Sequence, residues 1–383
     1  MSETPVDRPT PLPGQAQPLA RELNDAGFAM FRAVGGGQNL AISPASIGLA
    51  FGMLKAGASG PVDASLQELF GFSGTGEALL SQFNSLEQGL TSEADDDSAT
   101  VRIANRMFVD DDFTPLQAYS RALGTYFGAG VQREPLQREP EHSRDVIDGW
   151  VSDRTEGLIP NVMPDDLPND STQMVLVNTV YMKAMWESPF DANYTGEQEF
   201  YPAEGPATSV DMMNGSLSGS FAVTDDYAAV VMPYVGDLDM VLVVPSEDHF
   251  DEVQARLSQS FLDELDAGWR SGHVAISLPR FESTAKVNLE DVIEGGLGVQ
   301  GLFHTEGLDG IGPNLALDAA VHATKVIVDE EGTEAAAATV LGIMLTGMPM
   351  YDAEITADRP FLYVIRDTET GAVLFVGRYV APE

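Results

Sequence analysis

The sequence contains no cysteine. Disulfide frameworks, thiol catalysis and thiolate-held zinc or iron–sulfur sites are therefore excluded together. Lysine is confined to Lys55, Lys183, Lys286 and Lys325, and histidine to His142, His249, His273, His304 and His322. No two histidines have the spacing of metal ligands on one helix, so neither a metal centre nor any other cofactor is expected. No uninterrupted apolar run approaches the roughly 18 residues that a membrane-spanning helix needs. Basic side chains number only 20 against 59 acidic ones, a net charge of −39. Such a field repels a phosphate backbone, which excludes nucleic acid as a partner. The carboxylates are spread along the whole chain and do not form one acidic tail. Molar salt shortens the Debye length to about 3 Å and removes the self-repulsion that this charge creates. Uniform acidity with scarce lysine fits a halophilic microorganism.

What is present suffices for a packed core: 44% of the 383 residues are hydrophobic, with 18 Phe, 10 Tyr and 3 Trp. Residues 1–20 are rich in proline, lack an apolar run and do not start with basic residues. They read as a flexible leader and not a signal peptide, which places the protein in the cytoplasm, with an extracellular location as the alternative. Helical apolar spacing runs from Arg21 to Ala33 and stops at Gly35-Gly36-Gly37. Ser43 then caps a helix that carries Pro44 in its first turn and runs to Leu54. The texture changes in the middle. Gln173–Tyr181 is almost all apolar and β-branched, the pattern of a central strand covered on both faces. Further strands are expected at Ala320–Asp329, Phe361–Arg366 and Ala372–Val380. Helices at the front and strands at the back, without βα alternation, point to an α+β fold with mixed or antiparallel sheets.

A search for catalytic motifs returns nothing. Gly296-x-Gly298-x-x-Gly301 matches a dinucleotide fingerprint on paper, but Leu289–Glu294 before it reads as helix where a strand is required. A helix-terminal glycine turn explains it better. Asp95-Asp96-Asp97 lacks the glycine and distal glutamate of a calcium loop. No enzyme activity is expected.

One segment does carry information: Asp329-Glu-Glu-Gly-Thr-Glu-Ala-Ala-Ala-Ala-Thr339. As a helix it would show no apolar stripe. Read with period two, one face carries Thr333, Ala335, Ala337, Thr339, Leu341, Ile343 and Leu345, all small or apolar. Such a segment could be an exposed loop in one state and a buried central strand in another. At this point the residues resemble the serpin family. Glu330–Thr339 is similar to the serpin hinge, and Ile355–Tyr363 to the C-terminal signature. Asn39–Gly60, Val101–Phe108, Leu176–Phe190, Leu278–Phe281 and Phe375–Arg378 resemble further family blocks in the right order.

The resemblance implies an α+β, serpin-like single domain over residues 21–383, with three β-sheets, eight or nine helices and an exposed reactive loop at about 332–354. It implies a suicide-substrate inhibitor of serine proteases, which traps the acyl-enzyme by inserting the cleaved loop into the central sheet. Gly332, Thr333, Glu334, Ala335, Ala336, Ala337, Ala338 and Thr339 match the hinge. Ser43, Ser46, Asn178 and His322 match the shutter, a polar network beneath the opening of the sheet. Trp186, Arg280 and Glu330 match the breach at its top, with Arg280 and Glu330 as an ion pair. Counting from Glu330 by the family's usual spacing puts the reactive bond between Thr346 and Gly347, with Leu345 or Met348 as alternatives for the residue before it. No Arg or Lys lies between Val340 and Glu354. The partner is therefore expected to be a subtilisin-like, elastase-like or chymotrypsin-like protease rather than a trypsin-like one, bound by a monomer. The alternative is a non-inhibitory, serpin-like carrier or chaperone, but the small hinge side chains argue for insertion.

The charge yields a first prediction: the melting temperature should rise markedly between dilute buffer and molar salt. Identical melting temperatures at the two ionic strengths would remove the halophilic reading.

Overall fold

Pro18 stands in the first turn of helix α1 (Gln17–Ala33), where a proline costs no hydrogen bond. The helix therefore starts earlier than Arg21. It buries Leu19, Ala20, Leu23, Phe28 and Phe31 along one face. The protein is described here by a computed structural model covering residues 8–91, 99–333 and 350–382. Contacts also begin before residue 21, where the leader was expected to end: the Arg8 guanidinium lies 2.5 Å from the Glu87 carboxylate, and Asn84 and Gln88 donate to the Pro9 carbonyl.

The other helices among the described residues are α2 (Pro44–Lys55), α3 (Gly60–Phe70), α4 (Gly76–Leu90), α5 (Gln117–Phe127), α6 (Pro140–Arg154), α7 (Phe250–Arg256) and α8 (Gln259–Gly268), with a π-helical turn at Asp291–Gly296. That turn precedes the Gly298 and Gly301 positions, so the glycine pattern there follows helix and not strand. The strands are, in order, β1 (Leu40–Ile42), β2 (Ala99–Asp110), β3 (Val131–Glu134), β4 (Met174–Met185), β5 (Gly196–Phe200), β6 (Thr208–Val223), β7 (Tyr227–Pro233) and β8 (Leu238–Pro245). There follow β9 (Arg270–Pro279), β10 (Phe281–Asn288), β11 (Ala319–Val328), β12 (Gly332–Thr333), β13 (Ala353–Thr356), β14 (Phe361–Asp367) and β15 (Val373–Tyr379).

The fold is α+β, as expected. By hydrogen bonding, the strands among the described residues join into two sheets where three were anticipated. One has nine strands and the other six, in the order β10-β11-β12-β4-β2-β3. The merger comes from β6, which pairs with β9 over Met212–Phe221 and with β7 over Phe221–Val223. One long strand thus serves two layers.

The β4 side chains alternate between two cores, as strand geometry requires. Leu176, Val180, Met182 and Ala184 face the main core, while Val175 and Val177 pack with Phe108, Ile147 and Val151 beneath α6. Helices α1 and α2 approach closely enough that a Cβ on Gly27 would lie 2.3 Å from Pro44 Cβ. That contact seats the N-terminus of α2, and with it Ser43 and Ser46, against the six-stranded sheet. Gly27→Ala should therefore overpack the crossing and cost about 1–3 kcal/mol. Denaturant unfolding would show the loss, and an unchanged midpoint would mean that the crossing yields freely.

Candidate functional site

The parallel strands β4 and β11 are hydrogen-bonded to each other over only part of their length. Direct pairing runs from Ala319 opposite Val175 to Thr324 opposite Val180. Above that level the two strands part, and β12 stands between them, with Thr333 opposite Val328 on one side and Ala184 on the other. Thr333 is only 2% exposed, and its hydroxyl meets the Tyr234 hydroxyl at 2.7 Å. The hinge was expected to be exposed from Gly332 onwards; instead its first two residues already lie in the sheet of the uncut chain. A tight turn delivers them. The Asp329 amide donates to the Gly332 carbonyl, and its carboxylate accepts from the Glu331 and Gly332 amides. Gly332 has φ +154°, and a Cβ there would fall 2.0 Å from the Ala184 carbonyl oxygen, so only glycine fits.

Around this entry the three residues assigned to the top of the sheet come together. Arg280 donates to both carboxylate oxygens of Glu330, at 2.8 and 2.7 Å. Burial alone would raise the Glu330 pKa, but the hydrogen bonds from Arg280 and Thr195 outweigh it and hold the carboxyl below its ordinary value. The Trp186 indole donates to the Asp329 carbonyl at 3.1 Å and stacks on Tyr234 with centroids 4.2 Å apart. One bidentate ion pair and one aromatic stack therefore fix the turn that feeds β12.

Further down the seam, Ser43, Ser46, Asn178 and His322 form one buried network. The Ser43 amide donates to His322 Nε2 at 3.0 Å, so that nitrogen is the bare acceptor. The proton sits on Nδ1 and is donated to Asn178 Oδ1. Asn178 Nδ2 in turn donates one hydrogen to Asn105 Oδ1 and shares the other between the Ser46 carbonyl at 2.7 Å and Ser46 Oγ at 2.5 Å. The hydrogen bond between His322 on β11 and Asn178 on β4 crosses the seam where the two strands are directly paired. Burial drives the His322 pKa down to about 3, so the ring is neutral in this network. The hinge positions Glu334, Ala335, Ala336, Ala337, Ala338 and Thr339, and the reactive-bond positions Leu345, Thr346, Gly347 and Met348, lie outside the described residues.

No triad is assembled where a serine and a histidine do approach. Ser218 Oγ lies 3.3 Å from His273 Nδ1, but the Asp352 carboxylate accepts from the His273 backbone amide and not from the ring. The imidazole is stacked on Tyr351.

Two parallel strands held apart at one end by two residues of a third, with a buried polar network bridging them below, form an arrangement that can be compared with known proteins. The family model described as "Serpin (serine protease inhibitor)" matches residues 21–382. The chain is a serpin. Human serpin B4 is 30% identical over 372 residues, covering 90% of this chain and 94% of that one. Mouse antithrombin-III is 33% identical over 365 residues, covering 90% and 76%. An uncharacterized serpin-like protein of Thermococcus kodakarensis is 29% identical, covering 97% and 87%. Among solved structures, native tengpin, a thermophilic serpin, superposes with a TM-score of 0.86 at 22% identity, covering 100% of this chain and 97% of that one. Human thyroxine-binding globulin in complex with thyroxine also gives 0.86, at 24% identity, covering 96% and 100%. At that identity the likeness concerns the fold alone. Serpins are protease inhibitors as a family.

Sequence reasoning missed Tyr234, Thr195 and Asn105 in this serpin. Each touches the site through a hydrogen bond to a residue at least 73 positions away, and none sits in a pattern that periodicity could reveal. The neutral, buried His322 has a measurable consequence. Its native pKa lies below the unfolded value near 6.5, so the unfolded chain binds a proton that the native state refuses. Stability should therefore fall as pH drops from 6.5 towards 3, by about 1.4 kcal/mol per pH unit from this group. His322→Gln should show a shallower loss of melting temperature over that range than the wild type. Parallel profiles would assign the acid sensitivity elsewhere.

Proposed function

We propose that this serpin inhibits serine proteases by inserting its cleaved loop between β4 and β11. One observation carries the reading: Thr333 is wedged at the open end of the seam, with direct β4–β11 pairing closed below it. Extending the observed register downwards gives each loop residue a partner. Glu334 would stand opposite Lys183, Ala337 opposite Val180 and Thr339 between Asn178 and His322. The residues sharing the Thr333 face are then Ala335, Ala337, Thr339, Leu341 and Ile343, and they point to the main core. Small and apolar side chains are what that face can accept without a buried charge.

The energetics favour completion. About a dozen inserted residues gain ladder hydrogen bonds at roughly 1 kcal/mol net each. The total, on the order of 10 kcal/mol, compares with the stability of a whole domain and suffices to distort a tethered enzyme. The uncut state is then held by a barrier, which the His322–Asn178 bond helps to build.

The reactive bond we propose is that between Thr346 and Gly347, counted from Glu330, with Leu345 or Met348 as alternatives for the residue before it. With no basic residue nearby in the loop, subtilisin-like, elastase-like and chymotrypsin-like enzymes are the targets, met by a monomeric inhibitor. A carrier or chaperone of the same fold would need no insertion, and the run of small side chains at Ala335–Ala338 then has no purpose. Incubation with subtilisin, elastase, chymotrypsin and trypsin in molar salt tests the proposal. A denaturant-resistant covalent complex is expected with at least one of the first three, and its mass fixes the bond. Absence of any complex, with the loop cut, would favour the carrier.

Thr333→Arg sharpens the test. The arginine would have to leave the wedge or bury a charge between Val328 and Ala184. Each 1.4 kcal/mol added to the insertion barrier slows insertion about tenfold relative to deacylation. The variant should be cut as an ordinary substrate, with active protease recovered and a C-terminal piece beginning near Gly347 on a denaturing gel. Wild-type yields of covalent complex from this variant would overturn the insertion mechanism.

A further inference from the structure

The lower end of the seam is closed by a device that neither the hinge nor the polar network includes. One residue below the last β4–β11 pair, Asp318 Oδ2 accepts from the backbone amides of Gln173 and Met174 at 2.6 and 3.0 Å. The Asp318 amide donates to the Met174 carbonyl at 3.1 Å. Gln173 answers with its side chain, whose Oε1 accepts from the Ala316 amide at 3.1 Å. These bonds fasten the chain entering β11 to the chain entering β4. The other Asp318 oxygen lies 3.5 Å from His304 Nδ1, while His304 Nε2 lies 3.3 Å from Glu290, just beyond β10. The His304 amide also donates to the Leu317 carbonyl at 2.9 Å. Asp318 is thus held in place from the side remote from the seam.

We infer that Asp318 is a latch that sets how far the inserted strand travels, with Gln173 as its partner and His304 as its positioning residue. The inference rests on the insertion reading above. In the extended register, Glu334–Ala336 would enter a gap where β4 and β11 are not paired with each other. From Ala337 onwards, each residue must break one existing pair. Ile343 arrives level with Met174 and Asp318. A strand that ends near Thr346 must therefore pass the latch, and the carboxylate must let go of both amides. Bonds to a carboxylate are stronger than neutral ones, so this step is costlier than parting an ordinary ladder pair. The latch acts late, after the hinge has entered and before the bound protease has completed its path. It restrains the uncut protein as well, because the same bonds oppose spontaneous opening of the seam.

The test uses a synthetic peptide with the sequence Glu334–Leu345, added to the intact full-length protein in molar salt. Annealing is followed by native-gel mobility and by the rise in melting temperature, and complex formation with subtilisin is measured in parallel. Asp318→Ala should anneal the peptide about tenfold faster than wild type and divert a smaller share of inhibitor into the cleaved, unproductive product. Asp318→Asn keeps an oxygen acceptor without the charge and should fall between the two, which covers the case in which the alanine variant does not fold. His304→Gln should accelerate annealing less than Asp318→Ala. Equal annealing rates in wild type, Asp318→Asn and Asp318→Ala would overturn the latch, as would failure of all three to take up the peptide. Faster annealing in the variants without any covalent complex from wild type would keep the latch and overturn the inhibitory reading instead.

Discussion

Two parallel strands that are bonded to each other for part of their length, and parted for the rest, set the terms for everything else in this molecule. A parallel ladder normally closes as far as its strands run, because unpaired backbone groups are costly inside a protein. Here β4 continues to Met185 and β11 to Val328, yet direct pairing ends at Val180 and Thr324. The shortfall is made up at the top by two residues of a third strand. The Arg280–Glu330 pair, the Trp186–Tyr234 stack and the Asp329 turn all serve to hold those two residues in place. Below, α2 presents Ser43 and Ser46 to the line of contact, and its position depends on the absence of a side chain at Gly27.

Much of this was legible before any coordinates. The β-branched run Gln173–Tyr181 declared a strand covered on both faces, and β4 has a core on each side. Ser43 followed by Pro44 declared a helix start, and Ser43 Oγ accepts from the Ser46 amide as a cap should. The period-two reading started at Thr333, and Thr333 itself is buried against Tyr234, while the other positions of that reading lie outside the described residues. These are local signals, carried by neighbours in sequence.

What escaped the sequence is non-local. Nothing in the residues around Tyr234 announces that its hydroxyl will meet a threonine 99 positions later. The proline-rich residues 1–20 read as a flexible leader, whereas Pro18 sits in the first turn of a helix, where proline is tolerated, and the helix begins at Gln17. The joining of sheets through β6 depends on how that strand bends, which alternation alone does not encode. Asp318 looked like one carboxylate among 59, and nothing near it in sequence announces that it will accept from two backbone amides some 145 positions earlier.

The connection from β12 to β13 has a topological consequence. It joins the six-stranded sheet to the edge of the nine-stranded one, and beyond it the chain continues into β14 and β15. Strand β14 lies between β8 and β15, with Phe361, Leu362, Tyr363 and Val364 fully buried, while β15 also pairs with β1. A chain severed between Thr333 and Met350 is thus two polypeptides but still one body. The shorter piece is woven into the centre of a sheet whose other strands come from the longer piece. A break anywhere in that interval would leave every described strand pairing of the shorter piece intact, so the two pieces would still share one sheet.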